Sequence, residues 1–397
     1  MTETPKSDAR GQEAVYRSVI AAAISEHAAE LLALSHAIHA RPELKFEEHE
    51  AARLVAATLE SAGFEVRVGA YGLPTCVEAT IGAGPTVTVC AEYDALPEIG
   101  HACGHNINAA SAVGAALALS RVADSLGIRV QLLGTPAEEG GGGKSLLVDA
   151  GAFDDSVLAV MAHAGSEPDY DFTGSTTLGV DNLRVTFEGR AAHAAVAPHT
   201  GHNAASAATL AQVAIGLARQ QFPDEVRVAA IVQDGGTATN LIPAHAVLDI
   251  EVRAYNLEVL ESARQRVLAC CEAGALAMGC QWRAEDVQPR YEPLLQDDVL
   301  SVLWNEEMGA LGRPLHPLTD PRRPGSTDMG NVSQRVRAMH PFVGLRGVSA
   351  SIHTEEFRAA AITAAADDAV LIAASALAGT VARAMSAPDT RAGFVSR

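Results

Sequence analysis

Charge and aromatic rings are both scarce in this sequence, and the charge present is mostly of one sign. Only 19% of the 397 residues are charged and 4% aromatic, while 48 Asp and Glu outnumber 29 Lys and Arg for a formal net charge of −19. Nucleic acid and anionic membranes are therefore not expected partners, because both need clustered Lys and Arg to displace counterions. The longest uninterrupted apolar run, Ala369 to Ala382, is too short to span a bilayer, and Met1 to Gln12 is polar, without the apolar segment of a secretory signal. No membrane association and a cytoplasmic location are the expectation. Cysteine is equally sparse: six are spread along the chain, two of them adjacent at Cys270 and Cys271, which is no disulfide framework. Reduced thiols are expected, so a cysteine inside a patterned motif needs its own explanation.

What is abundant is small and apolar. Hydrophobic residues make up 48% of the chain, rich in Ala, Val, Leu and Gly, and the length exceeds one ordinary domain. Glu13 to Gly63 reads as helices, with Leu31, Leu32, Leu34 and Ile38 on one face, and Phe64 to Val68 and Thr75 to Ile81 as short strands. Thr86 to Asp94 is apolar and β-branched after Gly84-Pro85, as in a strand buried within a sheet. The pattern of an apolar strand ending in polar residues recurs at Ile128 to Leu133, leading into Glu138 and Glu139, and at Val157 to Met161, leading into His163. Asn106 to Leu126 is helical between the first two of these strands, so the order is β-α-β and the sheet mainly parallel, with helices on both faces. Ligands bind beyond the carboxyl ends of such strands. Asp94, Glu138, Glu139 and His163 thus converge by topology alone.

From about Val180 the rhythm changes to strand, helix, two strands, helix and strand through Gln288, an inserted α+β unit of βαββαβ order. After Pro293 helical patterns return, with a short strand at Met339 to Val343 and a final Ala-rich helix. The expected division is 1–179 with 293–397 as one domain and 180–292 as the other.

Gly100-His-Ala-Cys-Gly-His105 lies in the loop after the strand ending at Asp94, and its Cys103-x-His105 spacing offers two soft or borderline donors to one metal pair. Glu138-Glu139 is followed by four glycines, Gly140 to Gly143, which cover the carboxylates with almost no bulk and let a substrate backbone approach. Adjacent carboxylates at a strand end point in different directions, so one can ligate a metal while its neighbour faces the attacking water. His163 and His353, the latter just before a helix, are further candidate donors.

Seven motifs then occur in a telling order: His39-Ala-Arg-Pro-Glu-Leu44, Glu92-Tyr-Asp-Ala-Leu-Pro97, His101-Ala-Cys-Gly-His-Asn106, Pro136-Ala-Glu-Glu-Gly-Gly-Gly-Gly143, Gly189-Arg-Ala-Ala-His-Ala194, Thr239-Asn-Leu-Ile-Pro243 and His353-Thr-Glu-Glu-Phe357. In this the chain resembles peptidase family M20. More narrowly it is similar to that family's amidohydrolase branch, to the aminobenzoyl-glutamate hydrolase subunits and to the related β-alanyl dipeptidases. The resemblance implies two divalent metal ions per subunit, zinc first and manganese or cobalt as alternatives, with Cys103 as the bridging ligand and His105, Glu139, His163 and His353 as the others. It implies Glu138 as general base and Asp94 as the residue that orients a ligand. The inserted unit corresponds to a lid and dimerisation domain, from which His193 reaches the partner subunit's site to stabilise the oxyanion. Asn240, Arg253, Gly325 and Ser326 correspond to positions that face or line the substrate. One departure is visible, since Asn106 and Asn108 stand where the amidohydrolase branch has Asp and His.

The implied activity is hydrolysis of the amide bond in a small N-acyl amino acid or dipeptide-like substrate by a homodimer. Hydrolysis of another C–N bond, as in removal of an aromatic amine, and a non-catalytic metabolite-binding role are the alternatives.

Overall fold

The structure, a computed structural model, describes residues 6–395. Met1 to Pro5, the start of the polar stretch noted above, lie outside the described residues, and from Lys6 that stretch is already helical. The described residues form two compact units: one of the chain through Ser175, Leu295–Pro321 and the chain from Asn331, the other of Thr176–Leu294 and Arg322–Gly330.

The first unit begins with α1 (Lys6–Ala40), α2 (His49–Ser61), β1 (Glu65–Val68), β2 (Val77–Gly82), β3 (Thr86–Ala91) and α3 (His105–Ser120). It continues with β4 (Arg129–Gly134), α4 (Gly143–Asp149), β5 (Ser156–Val160) and β6 (His163–Ser166). Helix α2 is amphipathic, burying Ala51, Ala52, Val55, Ala56 and Leu59 at helical spacing. Strand β3 is buried along its whole length, in keeping with its β-branched, largely apolar sequence.

The second unit contributes β7 (Gly179–Glu188), α5 (Ala204–Ala218), β8 (Arg227–Asp234), β9 (His245–Ala254), α6 (Leu257–Met278) and β10 (Gln281–Asp286). Its sheet has the order β8-β9-β7-β10 and is antiparallel throughout. Ala246, Leu248, Ile250, Val252 and Ala254 alternate inward along β9, and α5 and α6 pack on each other and on the sheet. The remainder of the first unit includes α7 (Asp298–Ala310), β11 (Ala338–Met339), β12 (Phe342–Leu345) and α8 (Ala364–Ser386).

The large sheet has the order β1-β2-β4-β3-β5-β11 and is mixed rather than uniformly parallel. Strands β4, β3, β5 and β11 are parallel, while β2 runs antiparallel to β4 and β1 to β2. The cause is local: only Ala83 to Pro85 separates β2 from β3, too short for a crossover, so the chain reverses and β4 later inserts between them.

The expected strand Met339 to Val343 is split in two. Pro341 has no N–H for a ladder, and its carbonyl accepts from the His163 amide at 2.9 Å, so the chain leaves β5 at β11 and pairs with β6 at β12. His163 accordingly opens β6 instead of closing the strand before it.

Two helical stretches, Gly11–Ala40 and Ala364–Ser386, are long and apolar enough to cross a membrane, the second because helix α8 extends beyond the uninterrupted apolar run. That helix is mostly buried against protein, packing on α1, α3 and α7. Its alanines allow close approach, as Gly114 of α3 shows: a Cβ there would lie 2.8 Å from Ala374. No two of the six cysteines form a disulfide.

Candidate metal centre

The donors named from sequence lie at ends of elements in the first unit. Cys103 is in the loop between β3 and α3, His105 is the first residue of α3, and Glu138 and Glu139 lie between β4 and α4. Gly104, the residue before α3, has φ +78°, and a Cβ there would lie 2.7 Å from the Ala164 methyl, so only glycine lets Cys103 and His105 approach β6. Two donor-bearing turns also hold non-glycine residues in the left-handed region, Ala137 at φ 59° and His353 at φ 66°. Such backbone costs about 1–2 kcal/mol per residue and persists only where its surroundings enforce it.

Cys103 Sγ is 3.6 Å from His163 Nε2 and 3.2 Å from His353 Nε2, and the latter nitrogen is 3.3 Å from Glu139 Oε1. Donor atoms of Cys103, His105 and His163 lie within 4.8 Å of one another, and so do those of Cys103, Glu139 and His353. A third group, His105, Glu138 and Glu139, meets the same limit. Cys103 is common to the first two. Asp94 joins both sets from behind: its Oδ1 is 3.0 Å from His105 Nδ1, whose other contact is the Asp94 carbonyl at 2.9 Å, and its Oδ2 accepts from the Glu139 amide at 2.8 Å.

These residues fit a bound metal. His105 Nε2 is buried without a hydrogen-bond partner, the expected state of a nitrogen whose partner is an ion. Burial lowers the His163 pKa to about 4, leaving the imidazole neutral and able to ligate. For His105 burial acts downward too, but Asp94 and Cys103 outweigh it and the net shift is upward. Burial, with Glu139 adding to it, pushes the Cys103 thiol well up, so the thiolate form needs a cation beside it. Glu139 is raised by burial but held below the usual carboxylate range by its hydrogen bond to His353 and by the charge of His105. A soft thiolate with imidazole and carboxylate donors is a set suited to zinc and neighbouring divalent ions.

Sequence reasoning missed the layer beneath these donors. Glu92 is fully buried and ion-paired to Lys144, itself fully buried, with Oε2 accepting from Asn108 Nδ2 at 3.1 Å and lying 3.5 Å from His105 Nε2. Burial raises its pKa, but Lys144 and the neighbouring histidines hold it well below the usual range. Asn108 Oδ1 accepts from the Ala164 amide at 2.8 Å, one residue beyond His163. Both Asn departures are thereby placed, since Asn106 Nδ2 donates to Ser35 Oγ and to the Ala361 carbonyl, each at 2.9 Å. The signals available were Glu92 at the head of a patterned motif, Asn108 as a departure from the family pattern, and Lys144, a cation directly after four glycines.

The other residues named from sequence belong to the second unit. His193 is exposed, with Nδ1 accepting from the Ala195 and Val196 amides at 3.2 and 3.3 Å. Asn240 is exposed and its carbonyl accepts from the Ala194 amide at 2.9 Å. Arg253 is paired through two nitrogens with Glu251 at 2.7 and 2.9 Å and donates to Ser326 Oγ at 3.1 Å. Gly325 accepts from the Leu178 amide at 2.9 Å.

Residues 88–378 match Peptidase family M20/M25/M40. The chain is 37% identical over 377 residues to the Xaa-Arg dipeptidase of Mus musculus, covering 90% of this chain and 86% of that protein. It is 33% identical over 259 residues to a p-aminobenzoyl-glutamate hydrolase subunit of Escherichia coli (strain K12), covering 59% and 53%. Among solved structures, the YXEP protein of Bacillus subtilis, described as a dinuclear metal binding peptidase from the M20 family, superposes with a TM-score of 0.69 at 22% identity, covering 91% of this chain and 99% of that one.

Proposed function

The chain belongs to peptidase family M20/M25/M40 and is a hydrolase of amide bonds, and we propose that it cleaves a small dipeptide-like or N-acyl amino acid substrate using two divalent metal ions per subunit. The observation that carries this reading is the sharing of Cys103 by two donor trios. Cys103 would contribute to holding both ions, and His105, Glu139, His163 and His353 would complete the two sets. Zinc is the ion assigned first, with manganese or cobalt as substitutes. When bound, such ions supply a water of lowered pKa and a sink for oxyanion charge.

The chain's own groups do the rest. Glu138 takes the proton of the attacking water and returns it to the leaving nitrogen, a general-base step worth about 10²- to 10⁴-fold. Asp94 holds the His105 ring and the Glu139 backbone so that both present their donors to the same side. His193 accepts backbone N–H groups at Nδ1, so its Nε2 carries the proton and can donate to an oxyanion. Its exposure supports a role in a partner subunit's site, in a homodimer formed through the second unit. Asn240, Arg253 and the Gly325-Ser326 turn face the substrate in this reading. A cytoplasmic, reducing setting suits a thiol that must stay reduced.

The net charge of −19 favours approach of cationic substrates over acidic ones. A dipeptide ending in a basic residue, the substrate class in the name of the Mus musculus relative, is therefore the first compound to test. The decisive experiment pairs Glu138→Gln with metal analysis on such dipeptides, N-acyl amino acids and aminobenzoyl-glutamate. Turnover is expected to vanish while two metals per subunit remain. Near-normal turnover by that variant, or a purified wild type without metal, overturns the reading.

A further inference from the structure

We infer that Glu48 is a positioning residue for the turn that carries the general base, an inference that rests on the role proposed above for Glu138. Glu48 heads α2 as its N-cap residue, yet its side chain makes no bond to its own helix. That task falls to Glu43, whose carboxylate accepts from the Glu50 amide at 2.9 and 3.0 Å and from the Ala51 amide at 2.9 Å. A carboxylate at a helix start is stabilised most simply by capping that helix. Here it is directed elsewhere.

The Glu48 carboxylate is fully buried, and three hydrogen bonds account for where it points. Oε1 accepts from the Phe46 amide and from the Ala137 amide, each at 2.9 Å, and Oε2 accepts from Thr75 Oγ1 at 2.7 Å. Ala137 directly precedes Glu138 and is the residue with left-handed backbone, a conformation alanine adopts only under constraint. Its carbonyl accepts from the Gly141 and Gly143 amides at 3.1 and 3.4 Å, so the glycine loop winds around this one residue. The winding is tight: a Cβ on Gly141 would lie 2.5 Å from the Ala137 methyl and 2.8 Å from the Phe46 ring, and one on Gly143 would lie 1.8 Å from the Pro136 carbonyl oxygen. Thr75 extends the link, since its carbonyl accepts from the Tyr93 hydroxyl, between Glu92 and Asp94. One buried side chain from the N-terminal segment thus reaches the base-bearing turn directly and the end of β3 through Thr75. Losing the bond to Ala137 would leave a buried N–H unpaired and free the φ/ψ values that aim Glu138.

The test uses the metal-loaded enzyme and compares kcat, KM and metal content of Glu48→Ala, Glu48→Gln and the double variant Glu48→Ala with Ala137→Gly. Glu48→Ala is expected to lose roughly 10- to 100-fold in kcat with KM and metal content held. Gln retains an acceptor oxygen for the Ala137 amide and keeps most of the rate. Glycine at position 137, free to occupy positive φ, recovers most of the rate lost in Glu48→Ala, which a merely structural role for Glu48 does not predict. If Glu48→Ala is not obtained folded, Glu48→Asp, which draws the carboxylate back by one methylene, replaces it in the comparison. Unchanged kcat, loss of metal along with kcat, or no recovery with Ala137→Gly overturns the inference. An inactive Glu138→Gln control leaves the general-base reading standing in each of those cases, whereas an active one removes that reading itself.

Discussion

Asp94→Asn separates two jobs that one carboxylate performs. Asp94 Oδ1 faces the His105 Nδ1–H at 3.0 Å and Oδ2 the Glu139 N–H at 2.8 Å. Both are donors, and an asparagine has only one acceptor oxygen, so either orientation sets its NH2 against one of them. The Glu139 amide gains most from the oxygen, because His105 also has the Asp94 carbonyl at 2.9 Å. The amide should therefore turn to serve Glu139, leaving His105 with its carbonyl contact, a donor opposed to its N–H and no charge behind it. A hydrogen bond to a charged group is worth about 1.5–3 kcal/mol, and loss of such a partner behind a ligating histidine weakens metal binding about 10- to 100-fold. Those two figures agree, since tenfold corresponds to about 1.4 kcal/mol. Asp94→Ala adds an unpaired buried N–H at Glu139 and should be worse by about another 1–3 kcal/mol. Competition with a metal-buffering chelator measures both dissociation constants. Wild-type affinity in Asp94→Asn, or equal affinities in Asn and Ala variants, would refute the assignment of Asp94 to two ligands.

Other perturbations test separate parts of the site. Mixing inactive Glu138→Gln with inactive His193→Ala should restore partial turnover once subunits exchange, and no recovery after exchange is verified by mass spectrometry counts against a shared site. Gly104→Ala combines a left-handed backbone cost of about 1–2 kcal/mol with overpacking of about 1–3 kcal/mol, so denaturant unfolding should show a loss of about 2–5 kcal/mol. In metal-free protein the Glu139 hydrogen bond raises the His353 pKa, and that stability is present below the ordinary His value of 6.5 and lost as pH rises through the raised one. Glu139, raised by burial but lowered on balance by His353 and His105, contributes above its ordinary 4.5 and loses that contribution as pH falls through its lowered value. The difference in melting temperature between metal-free wild type and His353→Ala should thus be greatest between about pH 4.5 and 6.5. A difference that does not shrink on either side of that window removes the pair.

Much of the fold was legible because burial and composition agreed: a short, β-branched, largely apolar run such as Thr86 to Ala91, bounded by Gly84-Pro85, reads as a strand covered on both faces, and it is buried throughout. The converging strand ends followed from the β-α-β order. Strand direction at the sheet edge was not legible, because it depends on β4 inserting between β2 and β3, a long-range choice no local pattern encodes. The split at Pro341 could have been anticipated from proline's missing donor. Nor did sequence place Arg322–Gly330 with the second unit, since pairing of Arg322 and Arg323 with Thr176 and Thr177 joins segments far apart in the chain. Among site residues, donors with recognisable spacing stood out, while Glu48 and Lys144 did not, and Glu92 and Asn108 were visible in motifs without a role. Their work is done through hydrogen bonds to backbone and to other side chains, and spacing carries no trace of that.

The order of donors along the chain bears on how the protein is made. Cys103, His105, Glu139 and His163 all precede the second unit, and His353 follows it. A chain leaving the ribosome therefore presents four candidate donors before the second unit and the fifth only after it. The intervening sequence must be translated before His353 can meet Cys103. On the proposed ligand set, a product that stops within the second unit carries four of the five donors and still lacks the residue that closes the second trio.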